Sequence, residues 1–136
     1  MTEKEKKKII LDTNALVFAA QKKKDLIEEI ERNMSGEKFK IIIPFPVIKE
    51  LEKLLTSKKI GIKEKIYARV ALLMVENWKK NKKVDIEGKE EKEEIADKWI
   101  LKNIKKGENF VVITYDRELK KRLKVRGIPL FEIKIE

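Results

Sequence analysis

Three apolar runs constrain this chain more than anything else in it: Ile9–Leu11, Phe39–Ile43 and Phe110–Ile113. Each is apolar at successive positions, with Lys40 near the start of the second as the one exception, so each describes a strand buried on both faces. Helical patterns separate them. Such alternation predicts an α/β domain: a three-layer α/β/α sandwich around a central, mainly parallel sheet. Right-handed crossovers then bring the carboxyl ends of the strands to one edge, which is where open sheets of this type bind ligands.

The intervening segments fit that scheme. A short helix is expected over Ala15–Gln21, and a second over Asp25–Met34, with Leu26, Ile27, Ile30 and Met34 on one face. Pro44 ends the second strand, and Pro46 opens a helix carrying Val47, Ile48, Leu51, Leu54 and Leu55. Beyond Gly61 a long amphipathic helix sets Ile62, Ile66, Val70, Leu73 and Asn77 in register, with Tyr67, Met74 and Trp78 beside them. The polar segment after it holds at most a short strand. Another helix is expected from Glu91 to Ile104, burying Ile95, Trp99 and Ile100 and stopping at Gly107. After the third apolar run come a basic helix over Arg117–Lys124, a turn at Gly127 and a last strand near Pro129–Ile133. No repeat or linker interrupts the series. The expectation is a single domain over residues 1–136, with its core at about 8–133 and a flexible basic N-terminus at 1–7.

Composition narrows the chemistry. Cysteine and histidine are both absent, which excludes disulfides, thiol nucleophiles, zinc sites built on thiolate or imidazole, and a histidine base. What remains is carboxylate, hydroxyl, Lys, Arg and Tyr. Clustered carboxylates suit a hard cation such as Mg²⁺ or Mn²⁺. The net charge of +10 favours a polyanionic partner, nucleic acid first. Dense Lys and Glu also match the charge networks of thermophile surfaces. No apolar stretch approaches the ~20 residues of a membrane span, so a cytoplasmic location is expected.

The strands end in acids. Asp12 follows Leu11, and Asp116 follows the run from Phe110 through Thr114. Glu50 lies about one turn into the helix after the second strand, and Asp97 lies at the border of an apolar helical stripe. Each has a structural alternative. Asp12 and Asp116 precede helices and are placed to cap them, and Glu50 has the helix dipole and Lys53. Asp97 has the weakest such reason. Brought together, four carboxylates repel and raise one another's pKa unless a cation neutralises them. With a divalent ion the same set becomes a device for phosphodiester hydrolysis. Basic residues concentrate in "NWKKNKKV" and "DRELKKRLKVR". The first reads as a solvated loop. The second starts at the acids, so Arg117, Lys120, Lys121 and Arg122 are candidates to guide an RNA backbone.

The order "ILDTNAL", "VIKELEKL", "ADKWIL" and "VVITYDRELKKRL…GIPLF" resembles a PIN domain over nearly the whole chain, residues 8–133. That resemblance implies a metal-dependent ribonuclease in which Asp12, Glu50, Asp97 and Asp116 bind Mg²⁺ or Mn²⁺ and serve catalysis. It also implies that Thr13, Asn14 and Thr114 support them. Two positions depart from the pattern: Lys98 stands where relatives often have a second Asp, and Tyr115 where they often have Asn. The last two motifs look most similar to small archaeal PIN proteins related to ribosomal RNA-processing nucleases, with VapC-type toxins close behind.

The expected function is therefore a divalent-metal-dependent endoribonuclease in RNA processing, acting on single-stranded or structured ribosomal RNA. A VapC-type toxin with an antitoxin partner is the first alternative. A PIN-like RNA-binding module of little activity is the second. Against the toxin, the residues beside the acids are basic (Lys49, Lys53, Lys98, Arg117), and nearby apolar positions fit core stripes. A homodimer stays open. A receiver-type domain or an Asp-x-Asp phosphatase would need a second acid in "LDTN", and residue 14 is Asn.

Overall fold

The structure is a computed structural model that describes residues 6–89, 94–104 and 109–130. Strand β1 (Lys7–Leu11) pairs in parallel with β2 (Phe39–Pro44) on one side and β4 (Phe110–Ile113) on the other. β3 (Asp85–Glu87) extends the sheet beyond β2, giving the order β3-β2-β1-β4. An isolated parallel bridge joins Leu130 to Val112, at the start of the expected last strand. Residues 131–133 of that strand, like Gly107 and residues 91–93 of the helix expected from Glu91, lie outside the described residues.

Alternation along the strands explains why the central stretches of β1, β2 and β4 are apolar at successive positions. Ile9, Leu11, Ile41, Ile43 and Ile113 join one core, and Ile10, Ile42 and Val112 join another. Successive side chains point to opposite faces, so a sheet covered on both sides needs every position apolar. The first core is closed by α1 (Thr13–Gln21), α2 (Leu26–Met34), α3 (Phe45–Thr56) and α4 (Ile62–Lys80). The second is closed by α5 (Ala96–Asn103) and α6 (Arg117–Val125), through Ile100, Leu119 and Leu123. This is the three-layer α/β/α arrangement expected. Helix α2 starts at Leu26 because the Asp25 carboxylate accepts the N–H groups of Ile27 and Glu28.

Two expectations fail. Helix α4 buries Ala68, Ala71, Val75 and Trp78, while Ile62, Ile66, Val70 and Leu73 face outward. The helix lies against α1 and α3, and two alanines on its inner face permit that close approach. Helix α5 buries Ile100 but leaves Ile95 49% exposed, because the helix starts at Ala96 and Ile95 sits at its N-cap. Trp99 is only partly buried.

Candidate active site

Parallel pairing of Leu11 with Ile113 sets the carboxyl ends of β1 and β4 side by side. The ladder runs one step further, since the Asp12 N–H donates to the Ile113 carbonyl at 3.1 Å. Asp12 and Thr114 are thereby fixed together, and both are buried. Thr114 Oγ1 donates to Asp12 Oδ2 at 2.7 Å and accepts the Asp116 N–H at 3.1 Å. Asn14 Oδ1, on the first turn of α1, accepts the Tyr115 N–H at 2.9 Å. The polar residues of "DTN" and "TYD" thus tie the two strand ends into one unit.

Glu50 reaches the same edge from α3. Its Oε2 accepts the Thr13 hydroxyl at 3.0 Å and the Ala96 N–H at 3.4 Å, so it joins α1, α3 and the start of α5. Asp97 follows Ala96 in the first turn of α5. That position gives it the favourable helix-dipole environment that a mid-helix placement would lack. Yet Asp97 Oδ1 is buried without a hydrogen-bond partner. Asp116 caps α6, accepting the Glu118 and Leu119 N–H groups through Oδ1 at 2.9 and 3.1 Å. Asp12 holds the N-cap position of α1 but makes no side-chain cap bond. Of the two capping alternatives, one is realised.

Burial pushes the Asp12 carboxyl above its ordinary pKa against the pull of the Thr114 hydroxyl, and the charges of Asp116 and Asp97 push the same way. Glu50 is raised chiefly by burial too, opposed by the Thr13 hydroxyl and reinforced by Asp12 and Asp97. The four acids therefore share one electrostatic environment. Among the described residues, no three carboxylates converge closely enough to cage an ion as they stand. Glu50 and Asp116 are held by backbone N–H groups. The donor set nevertheless fits a hard cation, being all oxygen, and the orphaned Asp97 Oδ1 is an acceptor that an ion would satisfy.

The rim is basic: Lys49, Lys53, Lys98 and Arg117 are exposed. On α6, Lys120 places its ammonium 5.8 Å from the centre of the Tyr115 ring. Helical spacing puts Arg117 and Lys121 on the solvent side of the buried Leu119 and Leu123, with the half-buried Lys120 on one flank and Arg122 on the other. Sequence reasoning missed Phe18. It lies one turn after Asn14, its ring centre is 4.7 Å from that of Tyr115, and Lys22 sits over it at 5.6 Å. The i, i+4 spacing of Asn14 and Phe18 was the available signal. A cavity of about 560 Å³ lies away from these acids, between the sheet and α5 beside Trp99 and Phe110.

The sequence model of the PIN like domain matches residues 9–135. The chain belongs to the PIN-like domain family. Among curated relatives of this PIN domain, ribonuclease VapC4 of Methanocaldococcus jannaschii is 37% identical over 127 residues, 93% of this chain and 90% of that one. Ribonuclease VapC9 of Archaeoglobus fulgidus is 34% identical over 125 residues, 92% of this chain and 82% of that one. The solved structure of the PIN domain endonuclease Utp24 superposes with a TM-score of 0.65 at 30% identity, covering 93% of this chain and 85% of the other. Among the described residues, no helix of this PIN domain is long and apolar enough to cross a membrane.

Proposed function

We propose that this PIN domain is an endoribonuclease that hydrolyses RNA phosphodiester bonds with a divalent ion, Mg²⁺ or Mn²⁺. One observation carries the reading: Asp12, Glu50, Asp97 and Asp116 occupy one sheet edge, with the Asp97 Oδ1 buried and unpaired. The ribonuclease names of two relatives that align over most of the chain, and the endonuclease name of the structural neighbour, support it.

In this reading Asp12, Asp97 and Asp116 hold the ion, and Glu50 stands beside them as a further carboxylate. The ion supplies Lewis acidity toward a phosphate oxygen and a water. The protein contributes position and charge. Thr114 fixes the Asp12 carboxylate, Thr13 fixes Glu50, and Asn14 holds the backbone that presents Asp116. Glu50, which stands beside the ion and whose proton affinity burial raises, is a fit acceptor for a proton released during hydrolysis. Arg117, Lys120 and Lys121 attract the phosphate backbone at the rim.

The test is single-turnover cleavage of RNA in Mn²⁺, Mg²⁺ and chelator, by the parent and by Asp12→Asn. The reading predicts cleavage that needs the ion and the carboxylate. Metal-independent cleavage, or an Asp12→Asn variant as fast as the parent, would overturn it.

The biological role separates into RNA processing and a VapC-type toxin. The basic rim favours processing. The toxin reading gains from the two VapC-named relatives and from α4, whose apolar residues are exposed and not, as expected, in the core. Expression of the chain alone in a bacterial host, with Asp12→Asn as control, decides between them. Growth arrest that the variant abolishes marks a toxin, and unimpeded growth with cleavage in vitro marks a processing enzyme.

A further inference from the structure

The face of the sheet under α5 carries successive rungs of side chains that differ in kind. Register sets Lys8 of β1 between Lys40 of β2 and Phe110 of β4. Two residues further on, Ile10 and Ile42 stand side by side on the same face, and both are buried. One step beyond them β3 supplies Glu87, opposite Pro44. Residues two apart on a strand share a face, so these rungs line one side of the cavity of about 560 Å³. That floor runs from cationic through apolar to acidic.

The cationic end is unfavourable for the chain by itself. Like charges directly opposite one another on neighbouring strands repel. Lys40 is drawn to Asp85 at 3.2 Å. Lys8 makes no ion pair among the described residues, and its ammonium lies 5.1 Å from the centre of the Phe110 ring. Both lysines are half-buried. Helix α5 leads from Ala96, which meets Glu50 at the carboxyl edge, back toward the start of β4. It thereby brings Lys102, loosely paired with Glu94 at 4.0 Å, to the lysine end of the cavity. Trp99 of the same helix lines the cavity nearer Gly88. Gly88, at φ +125°, makes room for it, since a Cβ there would lie 3.2 Å from the indole Nε1 and from the Phe45 Cβ.

We propose that this cavity binds a nucleotide. Its phosphate lies among Lys8, Lys40 and Lys102, its base between Trp99 and the Ile10–Ile42 floor, and an exocyclic amine of the base donates to Glu87. The rungs follow the order of parts along a nucleoside monophosphate: an anion, a sugar, then a planar ring with donors at its far edge. A phosphate offsets the repulsion between Lys8 and Lys40 and accepts charge-assisted hydrogen bonds from both. An indole face holds any base by stacking. The volume falls within the roughly 300–1,000 Å³ of small-molecule sites. A bare anion would leave the indole and the isoleucines unused, and an apolar ligand would leave the lysines facing each other. The site lies away from the acidic edge and does not depend on the ion or on cleavage.

The experiment is titration of the full chain with adenosine 5′-monophosphate in the presence of a chelator, followed by heat and by tryptophan fluorescence. The chain has two tryptophans, and Trp78 is buried in the core on the other face of the sheet, so quenching reports on Trp99. One nucleotide per chain is expected. Uridine 5′-monophosphate should bind about tenfold more weakly, because uracil presents a carbonyl where adenine presents an amine, and inorganic phosphate more weakly still. Lys8→Gln and Lys40→Gln should each weaken adenosine monophosphate about tenfold, and Glu87→Gln should erase its advantage over the uridine nucleotide. None of the three side chains is in the core, and circular dichroism should match the parent. Asp12→Asn should bind as the parent does, which separates this site from the acidic edge. A short RNA with a 5′-phosphorylated terminal adenosine identifies the source: binding as tight as the mononucleotide assigns the cavity to the end of a strand, and failure to bind assigns it to a free nucleotide, both within the proposal. Absence of adenosine monophosphate binding would overturn it. So would inorganic phosphate binding equally well, or binding indifferent to both lysine variants.

Discussion

The Thr114 hydroxyl donates to Asp12 Oδ2 at 2.7 Å, joining residues 102 positions apart in the chain. The bond is buried, and the same oxygen accepts the N–H of Asp116. Thr114→Val keeps the shape and removes the donor. At neutral pH it should cost about 1–3 kcal/mol, the price of leaving a buried carboxylate oxygen unpaired. Denaturant midpoints measure this. Cleavage should fall about 10- to 100-fold, as when a group supporting a metal ligand is lost, and Thr114→Ser should recover most of both.

The acids make the metal-free protein sensitive to pH in a definite direction. Asp12 and Glu50 have folded pKa values above their ordinary values of 3.8 and 4.5. The folded state therefore binds protons more tightly than the unfolded one. Their contribution to stability is fully present below those ordinary values and is lost as pH rises through the folded values. Without divalent ions, Asp12→Asn should raise the melting temperature at pH 7 and flatten its decline between acidic and neutral pH. A variant that melts lower at pH 7 and declines as steeply would show that Asp12 carries no such penalty.

An ion held by Asp97 should reverse that penalty. Mn²⁺ or Mg²⁺ at about 100 times its dissociation constant should stabilise the parent by about 2.7 kcal/mol. Thermal melts with and without the ion measure it. Asp97→Asn keeps an acceptor in place of the orphaned Oδ1 but removes the charge, and should abolish most of the shift. A variant stabilised as much as the parent would place the ion elsewhere.

RNA affinity should depend on α6 unevenly. Replacing Lys120 or Lys121 by Gln should reduce the slope of log affinity against log salt by roughly 0.7 per lost single-strand phosphate contact. Arg122→Gln should change it less, because Arg122 lies around the helix from the other basic residues. Equal effects at all three positions would mean that the helix acts only through its net charge.

The sequence made the scaffold legible because a strand buried on both faces leaves an unbroken apolar run. Asp12 and Asp116 stood out for the same reason: each follows such a run at the one edge where a parallel sheet leaves room. Glu50 was harder to read. Its ties are to Thr13 and to the Ala96 N–H, and only the folded chain brings those together. Helix α4 misled because both of its sides carry apolar residues. The bulkier row, Ile62 to Leu73, looked like the core face, but contact with α1 and α3 favours the row with Ala68 and Ala71. Side-chain size decided the matter against hydrophobicity. Phe18 was overlooked because nothing marks it until it is seen in contact with Tyr115.

The placement of β1 between β2 and β4 has a consequence in time. A ribosome makes Asp12 102 positions before it supplies Thr114, just past the end of β4. Until then β1 lacks one neighbour, and its carboxyl end lacks both the hydroxyl that holds Asp12 and the acid that faces it. Helices on one side of the sheet can gather beforehand, but the edge cannot. For an enzyme of the proposed kind, the nascent chain cannot cleave its own message or the ribosomal RNA around it before Thr114 and Asp116 have emerged and joined Asp12.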